Sequence, residues 1–96
     1  MKDITKKQFI MLMNAIEEED NKLRDIGKYI ETYSSSYVIL YSKISESLVK
    51  FLEDYYQTDL ISWWLYEDVE KVIYENNQEI SLKNIEELYT YINKEI

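Results

Sequence analysis

Apolar residues recur at Phe9, Ile16, Leu23, Ile30 and Tyr37, seven apart, with Leu12, Ile26 and Tyr33 in the intervening seam and Glu19 as a charged interruption. A repeat of this kind marks a helix that keeps one stripe against a neighbour. Thr5, with Gln8 three residues later, stands just ahead of the run and predicts the helix start as a capping box, in which each side chain satisfies a backbone N–H of the other. The stripe passes Gly27 and is expected to end near Ser34, Ser35 and Ser36. The acidic run Glu17, Glu18, Glu19, Asp20 leaves open a kink, or a break into two shorter helices. The seam serves either an intermolecular coiled coil or the core face of a long helix folded onto its own chain. Glu19 at its centre and a tyrosine at its end favour the second.

Beyond the serines, Tyr37, Tyr41, Ile44, Leu48, Phe51, Leu52 and Tyr55 fall three and four residues apart, which predicts a second amphipathic helix with Ser42 as its cap, packed antiparallel to the first. The segment Asp59 to Glu67 fits two periods. As a helix it lines up Ile61, Leu65, Val69 and Val72. As a strand it puts Ser62, Trp64 and Tyr66 on one face and Trp63 and Leu65 on the other, and its aromatic content favours the strand. Downstream, Val72-Ile73-Tyr74 and Ile80-Ser81-Leu82 flank Asn76-Asn77, residues that accept the left-handed backbone of a tight hairpin. Asn84 with Glu87 three residues on, followed by Ile85, Leu88, Tyr89 and Ile92 on one face, predicts a short closing helix that covers the sheet. The expected fold is therefore α+β: two long antiparallel helices, a small antiparallel hairpin or sheet at about 61–82 and a short C-terminal helix, in a single domain over 1–96.

Composition adds limits. At 96 residues and 46% hydrophobic, the chain suffices for one modest core. Ten tyrosines need a partner or water for each hydroxyl and belong at the margin of that core. A formal charge of -8 repels phosphate backbones, so direct nucleic-acid binding is not expected, whereas a protein with a basic surface suits it. The absence of cysteine fits a reducing compartment and makes the cytoplasm the default. The apolar run Phe9 to Met13, though preceded by Lys2, Lys6 and Lys7, is too short to serve as a signal segment or to span a bilayer.

Without histidine, a general base would have to be a carboxylate, lysine or tyrosine with a shifted pKa. Carboxylates neighbour one another at Glu53 and Asp54 and at Glu67, Asp68 and Glu70, but their spacing sets no pair across a cleft. The usual zinc and calcium ligand patterns do not occur, one glycine makes no phosphate loop, and Ser34 to Ser36 form no nucleophile elbow. An enzyme is the least favoured class, and neither cofactor nor metal is expected. Glu17 to Asp20 read as a solvated helix face, because four consecutive acids point in several directions around the axis. Of Trp63 and Trp64, a strand would bury one and leave the other as an interface anchor.

The lysine-rich start into an acidic helix, the segment Ile61-Ser62-Trp63-Trp64-Leu65-Tyr66-Glu67, the hairpin, and the closing Glu86-Glu87-Leu88-Tyr89-Thr90-Tyr91-Ile92 together resemble small accessory proteins of phages and prophages of low-GC Gram-positive bacteria. The likeness runs over nearly the whole chain and rests on the tryptophan-rich segment and the layout. It carries no catalytic motif and implies no site residues. Such proteins often place glycine and proline around the hairpin and before the last helix, and this chain has neither there. The resemblance implies a genomic setting in which many small acidic proteins block host enzymes, as anti-CRISPR and anti-restriction inhibitors do.

The expected function is a non-enzymatic protein-interaction protein that inhibits a host defence or nucleic-acid-handling protein in the host cytoplasm, as monomer or homodimer. It would use Trp63, Trp64, Tyr66, Glu67, Asp68 and Glu70 against a basic surface. The alternative is a structural or self-associating helical module that uses the seam from Phe9 to Tyr33.

Overall fold

The computed structural model describes residues 3–34 and 40–95. Its elements are α1 (Lys6–Ser34), α2 (Lys43–Tyr56), a short α3 (Leu60–Ser62) that widens directly into a π turn (Trp63–Glu67), β1 (Val72–Glu75), β2 (Gln78–Ser81) and α4 (Ile85–Glu95). The architecture is α+β, with two long helices, a short C-terminal helix and a two-stranded antiparallel sheet.

The capping chemistry read from the sequence is present at each predicted start. Thr5 N–H donates to Gln8 Oε1 at 2.9 Å while Gln8 N–H donates to Thr5 Oγ1 at 3.1 Å. Helix α1 then runs unbroken through the acidic run and Gly27. Ser42 caps α2 by accepting from Ser45 N–H at 3.2 Å, so this helix starts at Lys43. Tyr37, assigned to both helical stripes, and Ser35 and Ser36 lie outside the described residues. Asn84 accepts from Glu87 N–H at 2.8 Å, and Glu87 returns a carboxylate oxygen to Lys83 N–H at 2.7 Å.

Turns are made without glycine. Gln57 takes the left-handed conformation (φ 54°) at the end of α2, and Thr58 N–H donates across it to Glu53 C=O at 3.1 Å. Asn76 and Asn77, at φ 51° and 63°, form the hairpin turn that the sequence anticipated, in the register Glu75 with Gln78, Ile73 with Ile80 and Val72 with Ser81.

The tryptophan segment is not a strand. Trp63 N–H donates to Asp59 C=O and Asp68 N–H to Trp63 C=O, each at 3.2 Å, which closes first an α turn and then the wider π turn. Among the described residues the hairpin therefore has no third strand, and the sheet is confined to Val72–Ser81. The physical reason is burial three residues apart: Ile61 and Trp64 both reach the core, which coiling allows and a pleat forbids. Val69, which the helical alternative placed on an apolar stripe, is 95% exposed.

Helix α2 lies antiparallel to α1. Ser45 Oγ donates to Ile16 C=O (3.3 Å), Ser42 Oγ to Glu19 Oε1 (3.2 Å), and Ile4 N–H to the Tyr55 hydroxyl (3.0 Å). One core collects Phe9, Met13 and Ile16 from α1, Val49, Leu52 and Tyr56 from α2, and Ile61, Trp64, Leu82, Leu88 and Ile92 from the second layer. Phe9 and Ile16 of the heptad seam are thus core residues of the fold itself, whereas Ile26 is 44% exposed. The molecule measures 47 × 35 × 19 Å. The long dimension matches a 29-residue helix, roughly 44 Å at 1.5 Å per residue, and the short one matches two layers.

Tyr56 is the one buried side chain whose polar atom makes no hydrogen bond among the described residues. Burial, above all else, pushes its hydroxyl above the usual phenol range. The Asn93 amide, which donates to Tyr89 C=O at 2.8 Å, lies nearby and acts on the hydroxyl in the opposite direction. Replacing Tyr56 by Phe removes an unpaired buried group and keeps the ring against Phe9, which sits 6.0 Å away edge-on. The expected result is unchanged or higher stability, up to about 1 kcal/mol, read as a melting temperature raised by up to roughly 4–8 °C in a calorimetric scan.

Candidate functional site

The π turn sets the positions of Trp63 to Glu67, and hydrogen bonds at three places fix it. Glu53 Oε2, from α2, accepts Ser62 N–H at 2.9 Å and holds the start of the turn. Asp68 Oδ1 accepts from Glu70 N–H (2.9 Å) and Lys71 N–H (3.1 Å), which shapes the exit and stabilises Lys71 in the left-handed region at φ 57°. The third joins the turn to the hairpin. Trp64, 6% exposed, donates its indole N–H to Leu82 C=O.

These bonds are linked by an exchange of partners. Leu82 N–H donates to Lys71 C=O at 2.7 Å and so extends the β1–β2 ladder by one pair. In a regular ladder Lys71 N–H would return a bond to Leu82 C=O. Here Lys71 N–H goes to Asp68, and Leu82 C=O receives Trp64 instead. The Lys71 ammonium then lies over the Trp64 ring, 4.8 Å from its centroid. Partial burial lowers the Lys71 pKa, and the carboxylates of Asp68 and Glu17 act in the opposite direction.

The six residues singled out in the sequence therefore separate by role. Trp64 is core and Trp63 is half-buried against that core. Neither ring stands free as an anchor, because neighbours on a coil diverge by about 100° and both can lean inward, where strand neighbours would point to opposite faces. Asp68 is partly buried and holds backbone. Tyr66, Glu67 and Glu70 are exposed, with Tyr66 at 58%.

The acidic run of α1, read as a solvated face, is partly drawn into the same region. Tyr66 Oη donates to Asp20 Oδ2 at 2.7 Å, Glu19 receives Ser42, and the Glu17 charge acts on Lys71. Partial burial first, and the Asp20 carboxylate second, hold the Tyr66 hydroxyl well above the usual phenol range. Asp20, Glu17, Val69 and Lys71 were not in the sequence-derived set. Asp20 and Tyr66 are 46 positions apart, and no local pattern announces their contact. The result is an exposed ridge of Tyr66, Glu67, Val69 and Glu70 beside Asp20 and Glu17.

The neighbouring carboxylates point to separate partners: Glu53 to Ser62 N–H, Asp54 to Lys50 Nζ at 3.3 Å. Among the described residues no cluster of three or more metal-binding side chains occurs, and no helix is long and apolar enough to cross a membrane. Comparison with protein-family models, curated proteins and solved structures finds no match to this chain.

Two outcomes test this arrangement. Asp68→Ala leaves two backbone N–H groups without their acceptor and is expected to cost about 1–3 kcal/mol, whereas Asp68→Asn, which keeps a side-chain oxygen, loses less. Chemical denaturation of both variants measures the difference. The second outcome concerns alkali. The Tyr66 pKa is raised in the folded state, so its contribution is complete below the unfolded value near 10 and declines as pH rises from there towards the folded value. Denaturation from pH 8 to 11 should show wild type more stable than Tyr66→Phe at pH 8, and the gap closing above about pH 10.

Proposed function

We propose that this chain is a non-enzymatic binding protein whose ridge of Tyr66, Glu67, Val69 and Glu70 engages a basic surface on another protein. The observation that carries the reading is the 95% exposure of Val69 and the 58% exposure of Tyr66 within a stretch that also presents exposed Glu67 and Glu70. An apolar tip ringed by carboxylates supplies both halves of an interface: desolvated contact from Tyr66 and Val69, and steering by charge from the rim. The net charge of -8 attracts a basic partner over the same distances at which it repels nucleic acid.

The finer proposal follows the resemblance to small acidic phage and prophage proteins. The partner is a host defence or nucleic-acid-handling protein, the effect is inhibition, and the site of action is the host cytoplasm. The carboxylates of the ridge, with Glu17 and Asp20, would then occupy a groove that normally takes phosphates.

The test compares wild type with Val69→Asp and with the Glu67→Lys, Glu70→Lys double variant, since all three positions are exposed and none holds the fold. Immobilised wild type is expected to retain a specific protein from lysate of a low-GC Gram-positive host, less of it as salt rises. Each variant should reduce recovery at least tenfold, equivalent to about 1.4 kcal/mol. Equal recovery by all three proteins refutes the ridge as the binding surface.

A further inference from the structure

The helix pair has a second apolar side. Its inner side carries the core. Its outer side carries Ile44, Leu48, Phe51 and Tyr55 on α2, spaced four, three and four residues apart, alongside Met11 and Ala15 of α1. Met11 is 63% exposed, Ile44 62% and Phe51 49%. The groove between the helices is lined by Ile4, Gln8, Met11, Leu12, Ala15, Leu48 and Phe51, without a charged residue, in a chain that is 31% charged. At about 200 Å² for each large apolar side chain, Met11, Ile44 and Phe51 alone leave roughly 350 Å² uncovered, within the range of the largest patch on a monomer.

We infer that this outer face docks a second copy of the chain across a two-fold axis perpendicular to the helices. The argument is charge register. Ile16 lies beside Ser45 and Glu19 beside Ser42, so the middle of the paired helices falls near residues 12–13 of α1 and 48–49 of α2. A two-fold axis there sets each copy's α1 antiparallel to the other's α1, and α2 antiparallel to α2. Lys7 then meets Glu18, and Lys43 meets Asp54 of the second copy. Both rows bring opposite charges together around an apolar centre. Lys7, Met11, Glu18 and Lys22 share one strip of α1 at intervals of four and seven, and Lys43, Ser47 and Asp54 share the corresponding strip of α2. Lys7, Glu18 and Lys22 have no ion pair within their own chain among the described residues. Lys43 and Asp54 have only exposed partners within α2, Glu46 and Lys50, which compete weakly.

Size is consistent with this partner. Two copies would cover roughly 700 Å² from three side chains each, before their half-buried neighbours Ile4, Leu48 and Tyr55, against about 1,000 Å² for a specific interface. The two-fold contact is self-complementary and closes, leaving no copy of the groove open for further growth. It also leaves the ridge free. Tyr66 reaches Asp20, one turn beyond Ile16 on the core side of α1, and so lies across the helix layer from Met11.

Sedimentation equilibrium of the full chain between 1 and 200 µM tests the proposal. Wild type is expected to dimerise in this range. Phe51→Glu and Met11→Glu, at exposed positions, should each weaken the dimer by at least ~30-fold with circular dichroism unchanged. Lys7→Glu and Glu18→Lys should each weaken it, and the two together should restore it. A monomer at 200 µM overturns the inference, as does a dimer that withstands the Phe51 and Met11 changes. A double charge reversal that fails to restore the dimer overturns the two-fold register.

Discussion

The fold depends on where the indole N–H of Trp64 goes. Burying the ring without an acceptor for that N–H would cost several kcal/mol. The acceptor it finds is a backbone carbonyl that a regular hairpin would have used for itself. Asp68 frees that carbonyl by taking Lys71 N–H, and the positive φ of Lys71 is the backbone change that permits the exchange. The hairpin is joined to the helical layer through Trp64 and the side chain of Leu82, both in the core. A two-stranded sheet alone is marginal in water, so this junction, with Ile73 and Ile80 packed against the core and the Tyr91 hydroxyl on Glu75, holds the hairpin in place.

The same constraint explains what the sequence disclosed and what it withheld. Helix starts at Thr5, Ser42 and Asn84 and the turn at Asn76-Asn77 were legible because each is a local bargain between a side chain and a backbone group within three or four residues. The apolar period of α1 was legible in part: the core takes Phe9 and Ile16 where the seam placed them, but it also takes Met13 from off the seam and leaves Ile26 exposed. The tryptophan segment was not legible. Its aromatic composition favours a strand, and the deciding interactions are Glu53 with Ser62, Trp64 with Leu82 and Tyr66 with Asp20, nine, 18 and 46 positions apart. Of the candidate site, Tyr66, Glu67 and Glu70 emerged exposed. The tryptophans did not, because the expectation of one ring in and one out belonged to the strand.

Thickness governs the rest. A slab 19 Å deep has two layers, and each layer keeps one face towards solvent. In most helices of such a slab the outer face would be polar. Here α1 and α2 carry apolar side chains on both sides, so the acidic composition conceals an uneven distribution. Charge lies on the rims and on the ridge at the far side of α1, while the groove between the helices carries none. Ten tyrosines ease this compromise, since a ring such as Tyr55 or Tyr89 can pack while its hydroxyl bonds Asp3 or Ile4.

Two surfaces with opposite character, on opposite sides of one helix layer, make different physical demands of a partner. The ridge acts at a distance through its carboxylates, gains on-rate from them and loses it with salt. The groove offers no long-range attraction and rewards only close apolar fit, which salt strengthens or leaves alone. For a chain of charge -8, two copies approaching each other first meet repulsion. A register that sets Lys7 over Glu18 and Lys43 over Asp54 replaces it with local attraction at contact. Self-association through the groove is therefore selective in orientation even though its driving force is not directional. Pairing two copies there would present two ridges on one particle, and a partner with repeated basic surfaces would bind it more tightly by effective concentration than it binds one ridge.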